Sequence, residues 1–147
     1  MVAVSDYGSA QADADAMLAL LRDRPITVYP DENGGPSTVP PGAVPPYVSV
    51  HFATENADGN SLNTKSTRTR TRAYAHCVGA NDIAARAMLG QVQAAWLDVR
   101  PTIAGRECFP IRQEPTREAD VTEPVATTTV TLTAVYRLES VPGVDAP

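Results

Sequence analysis

The chain predicts an α+β domain: an antiparallel or mixed sheet of about five strands with two helices packed on one face. Three observations carry this. The segment from Thr127 to Glu139 alternates cleanly, with Val130, Leu132, Ala134, Tyr136 and Leu138 on one face and Thr129, Thr131, Thr133, Arg137 and Glu139 on the other. That pattern marks a sheet with one buried face. Two separate segments instead repeat their apolar residues at helical spacing and begin at capping residues. Between them lie two further alternating segments joined by a polar turn, the mark of a hairpin.

The first helix is expected from Ala10 to Arg22, capped by Ser9. Ala10, Ala14, Met17 and Leu21 share one face, which Leu18 widens. Asp13 and Asp15 near its start and Arg22 near its end suit the helix dipole, and Pro25 stops it. Ile26 to Tyr29 is a short strand. Residues 30–46, rich in Pro and Gly, form a long loop. Tyr47 to Thr54 and Thr67 to Val78 alternate as strands on either side of a turn at Asp58-Gly59-Asn60. Asn81 caps a second helix, Asp82 to about Leu97. Its apolar residues fall on two sides: Ile83, Ala87, Gly90, Ala94 and Leu97 on one, and Met88, Leu89, Val92 and Trp96 on the other. A helix apolar on both sides is covered on both, here by the sheet and by the first helix or a neighbouring subunit. Thr102 to Gln113 holds one or two short strands, 114–124 is a loop, and 141–147 is a frayed tail. The whole of 1–147 reads as one domain.

Composition narrows the function. The 147 residues carry a formal net charge of −5, 43% apolar residues and only two cysteines. The negative charge argues against a global attraction to nucleic acid or acidic membrane. No apolar run is long enough to span a bilayer, and two cysteines are too few for a secreted disulfide scaffold. The reading is therefore a cytoplasmic protein with no membrane partner.

Candidate chemistry is sparse. His51 and His76, the only histidines, lie on neighbouring predicted strands. They lack the further ligands a metal site needs, so no metal is expected. Cys77 and Cys108 sit within strands, where thiols are commonly buried and inert. Asn33-Gly34-Gly35-Pro36 has neither the lysine nor the following helix of a phosphate loop. No catalytic residue and no cofactor site are read, and no enzymatic activity is expected. The most unusual stretch is 65–72, in which Arg68, Arg70 and Arg72 share one strand face. Three cations on a face require countercharge or solvent. Glu114, Glu118, Asp120 and Glu123 are natural partners, in the same subunit or the next; Arg68, Arg70, Arg72, Glu118, Asp120 and Glu123 are the candidate subunit interface, with a solvated strand face or a nucleic-acid contact as the alternatives.

The segment Tyr74-Ala75-His76-Cys77-Val78-Gly79-Ala80, the helix from Asn81 to Leu97, Val99-Arg100-Pro101 and Gly105-Arg106, taken with the order of elements, resemble the tail terminator (tail completion) proteins of long-tailed phages infecting actinobacteria. The likeness spans about Ala10 to Glu139 and leaves out the 30–46 loop and the C-terminal tail. It implies a subunit of a hexameric ring that caps the tail tube, ends its polymerisation and presents the surface that joins the head. The implied partners are copies of the same chain, the tail tube protein and a head–tail connector protein, with DNA only passing through the lumen. The implied location is the virion tail, and the host cytoplasm during assembly. A head–tail connector or stopper, or a tube component, is the neighbouring alternative. A small enzyme or regulatory binding domain is the alternative of another class.

Overall fold

A computed structural model describes residues 7–30, 39–40, 42–57, 66–115, 121–122 and 129–143. It contains helices α1 (Ala10–Arg22) and α2 (Asp82–Trp96) and strands β1 (Val28–Tyr29), β2 (Tyr47–Ala57), β3 (Arg68–Gly79), β4 (Arg106–Cys108), β5 (Arg112–Glu114), β6 (Val121–Thr122) and β7 (Val130–Pro142). The α+β expectation holds. The strands form one mixed sheet ordered β1-β2-β3-β7, with β4, β5 and β6 following one another along the far side of β7. β1 runs parallel to β2, and every other pair is antiparallel.

Both helices begin where local chemistry dictates. Ser9 is extended and its hydroxyl accepts from the Ala12 N–H, and Asn81 likewise accepts from the Ala84 N–H at 2.8 Å. Each cap satisfies an N–H that the first helical turn leaves unpaired. α2 ends at Leu97, which is extended, and Asp98 follows at φ 63°. Asp tolerates that left-handed conformation better than most residues, and its N–H donates to Ile111 O at 2.8 Å.

The helices cover one sheet face. Met17, Leu18 and Leu21 of α1 and Val92, Ala95 and Trp96 of α2 meet Val48, Val50, Ala73, Ala75, Cys77, Ala134, Tyr136 and Leu138. Small residues on β3 let the helices come close. At Gly79 an added Cβ would lie 2.4 Å from the Ala85 nitrogen, so only glycine lets the end of β3 pass beneath the start of α2. Trp96 anchors the core: it is fully buried, its indole N–H donates to Met17 O at 2.9 Å, and its ring meets Tyr136 edge to face at 5.4 Å.

Several expectations need correction. Val130 and Leu132 are only half-buried, because they lie at the sheet end where α2 begins and the helical cover starts. Val141 and Pro142 belong to β7 rather than to a tail, since they pair with Glu107 and Arg106; residues 144–147 lie outside the described residues. The 114–124 segment contributes Glu114 to β5 and Val121–Thr122 as β6, because β7 is long enough to offer both a pairing edge. On the small side of α2 only Leu97 packs against the core; the described residues leave Ile83 76% exposed, and Ala87, Gly90 and Ala94 exposed as well, so cover there would come from the neighbouring subunit. Of the 30–46 loop, residues 31–38 and 41 lie outside the described residues.

Candidate functional site

Two polar constellations lie on opposite faces of the same sheet. Alternation along β3 separates them: Thr69, Thr71, Ala73, Ala75 and Cys77 turn towards the helices, while Arg68, Arg70, Arg72, Tyr74 and His76 turn away.

On the outer face the arginine stripe is answered by carboxylates from three other strands. Arg70 donates to Glu139 at 2.7 Å and to Glu55 at 3.2 Å. Arg72 bonds Glu55 at 3.0 Å and both oxygens of Glu114 at 3.1 Å. Arg68 pairs with Glu139, and its guanidinium stands 5.2 Å from the Phe109 ring centre. Arg137 lies 3.5 Å from Glu114 and 3.6 Å from Glu139. At the far end Arg112 pairs with Asp98. Glu55 sits low in pKa because of its bonds from Arg72 and Arg70. For Glu139, burial works against ionisation, but the bonds from Arg68 and Arg70 outweigh it and hold the carboxyl below its usual range.

The expected countercharge is therefore present, and Glu114 supplies part of it from the same chain. Glu55 and Glu139 supply the rest. The sequence pattern did not single them out as partners, because their strand pairings were needed to bring them alongside. Glu118, Asp120 and Glu123 lie outside the described residues.

Further along this face, His51 and His76 stack edge to face with ring centres 5.3 Å apart, and His76 Nδ1 lies 3.0 Å from Thr133 Oγ1. Burial, and then the neighbouring His51, lower the His76 pKa. Among the described residues no three His, Cys, Asp or Glu side chains gather as a metal cage.

On the helical face a polar cluster is buried in the core. Asp13 is 2% exposed and accepts from Thr71 Oγ1 at 2.7 Å, and Thr71 in turn lies 3.0 Å from Thr54 Oγ1. Arg106 donates to Ser140 Oγ at 3.1 Å, Ser140 O at 2.8 Å, Thr67 O at 2.8 Å and Thr69 Oγ1 at 3.0 Å. Thr69 also donates to Tyr7 O at 2.7 Å, tying the start of the described chain to β3. Beside this junction Gly8 adopts φ 81°, and a Cβ there would lie 2.4 Å from Thr69 Oγ1. The cluster binds α1, β3, β4 and β7 into one body.

Burial raises the Asp13 pKa, against the bond from Thr71 and the field of Arg106. A raised acid pKa means the folded state holds the proton more tightly than the unfolded chain. Stability is then highest below the unfolded value of 3.8 and falls as pH rises through the folded pKa. Asp13→Asn should therefore raise the melting temperature at pH 7, keeping an acceptor for Thr71 without the buried charge. Its advantage should vanish near pH 3, as melting curves at the two pH values would show. A variant less stable than wild type at pH 7 would mean the charge is favourable there through Arg106.

Both cysteines are buried: Cys77 is fully buried and burial pushes its thiol up to about 12, while Cys108 is raised in the same sense by burial first. An open groove of about 560 Å³ is lined by Arg24, Pro25, Ile26, Thr27, Val44, Pro46 and Met88, and among these described residues Arg24 is the one ionisable side chain. No helix of the described residues is long and apolar enough to cross a membrane.

What the fold and its faces define is a helix-backed mixed sheet whose outer face carries a network of ion pairs. No protein-family model matches the chain, and no curated protein matches it in sequence. Among solved structures, a chain in the "Virion of native gene transfer agent (GTA) particle" has a similar fold, with a TM-score of 0.68 over 93% of this chain and 99% of that one. Sequence identity is 16%, so the likeness is one of fold.

Proposed function

We propose that this chain is a structural protein of a phage-like virion, and within it a tail terminator: a ring that caps the tail tube, ends its polymerisation and offers the surface for head joining. The observation that carries the virion reading is the fold shared with a chain of a gene transfer agent particle over almost the whole of both chains. The finer assignment draws on the resemblance of residues 74–106 to tail terminators. Two features support an assembling subunit: the exposed apolar strip of Ile83, Ala87, Gly90 and Ala94 on α2, and a sheet face built of ion pairs. In this reading the partners are copies of the same chain, the tube protein and a connector protein. The ring works by fit, without turnover, on the virion tail and in the host cytoplasm during assembly.

The test is to polymerise the tube protein from the same virion with and without this chain. A terminator shortens the tubes and adds density at one end only. Tubes of unchanged length with bare ends, together with binding to the head-side connector, would move the assignment to a stopper.

A further inference from the structure

Strand register sets Arg72, Arg137 and Arg112 side by side on β3, β7 and β5. Like charges directly opposite one another destabilise a sheet unless anions answer them. Arg72 is held by Glu55 and by both oxygens of Glu114, and Arg112 pairs with Asp98. Arg137, between them and 37% exposed, is answered least. Among the described residues it donates no hydrogen bond: Glu114 and Glu139 stand at 3.5 and 3.6 Å, and each is held more closely by another arginine.

Arg137 borders a pocket of about 250 Å³ lined by Arg68, Phe109, Pro110, Arg112, Arg137 and Glu139. Three guanidiniums, each with five N–H donors, meet one carboxylate there, and Arg68, Arg70 and Arg137 already share it. Phe109, 38% exposed, adds an apolar wall. Its segment is pinned on both sides: Phe109 N–H donates to Glu139 O at 2.9 Å, and Ile111 N–H to Val99 O at 2.8 Å. The pocket is smaller than the roughly 300–1,000 Å³ of small-molecule sites and suits a side chain better.

We propose that this pocket receives a carboxylate side chain from a second copy of the chain, with Arg137 and Arg112 gripping its oxygens and Phe109 covering its stem. The proposal rests on the ring reading above and names one contact between subunits. A planar guanidinium can hold both oxygens of a carboxylate, and the incoming charge relieves the repulsion along the arginine row. A second copy suits the pocket in charge, because the chain carries 17 acidic residues against 12 basic ones. A nucleic-acid strand suits it less: Glu55, Glu114 and Glu139 are interleaved with the arginines and repel successive phosphates. A pocket on one copy filled by an acid elsewhere on the next is a head-to-tail contact, the kind that builds rings when the rotation closes.

Arg137→Gln in the full chain separates docking from folding. It removes the centre of the arginine row, so the melting temperature should equal or exceed that of the wild type, while the concentration needed for assembly rises about tenfold. Glutarate probes the pocket without mutation: added to dilute monomer it should shift the Arg137 side-chain NMR signals, where sodium chloride at equal ionic strength does not. A folded Arg137→Gln variant that assembles like the wild type overturns the docking site and leaves the ring reading standing. A lowered melting temperature makes Arg137 a part of its own subunit's fold and also overturns it. Phosphate acting as strongly as glutarate, or duplex DNA binding that the variant loses, overturns the carboxylate assignment. A wild-type chain that stays monomeric at every concentration overturns both the docking site and the ring.

Discussion

Trp96→Ala is expected to cost about 3–5 kcal/mol, the range for removing a large buried aromatic. The ring fills the junction of α1, α2 and the sheet, and its removal also leaves Met17 O without its indole donor. For a domain of this size the melting temperature should fall by on the order of 10 °C. Trp96→Phe should fall between the two, keeping an edge-to-face partner for Tyr136 but not the hydrogen bond. Urea unfolding of the three proteins checks the series; a loss below about 1 kcal/mol for the alanine variant would contradict the central place given to this residue.

Arg106→Met should be comparably severe. It removes the donor to Ser140, Thr67 and Thr69 from a site only 9% exposed, and it removes the cation whose field reaches Asp13. Taking one charge out of a buried polar cluster typically costs about 3–5 kcal/mol, much of it from the groups left behind. Adding Asp13→Asn should recover part of the loss, because the buried carboxylate would no longer need compensation. Independent, additive effects in the double-mutant cycle would show that Asp13 and Arg106 are not coupled.

Much of the fold was legible because its causes are local. Ser9 and Asn81 carry their capping chemistry in one side chain, and the alternation of β2, β3 and β7 is set by neighbouring residues. What was illegible depends on contacts distant in sequence. Asp13 has the signature of an ordinary dipole-stabilising acid. Its burial follows only from Thr71, 58 residues away, lying beneath α1. Arg106 reads as an ordinary cation of a short strand until β4 is laid against β7. The Arg68, Arg70 and Arg72 stripe was visible as a demand for countercharge. That Glu55 and Glu139 meet it required the register on both sides of β3. The apolar strip on α2 was legible as a face, but its cover is not supplied by the described part of this chain.

Electron microscopy of the purified chain, at concentrations spanning its assembly, tests the account most directly. Closure of a structural ring predicts cyclic particles with a central opening. Single-domain particles at every concentration, or two-fold dimers that never close into a ring, would contradict it.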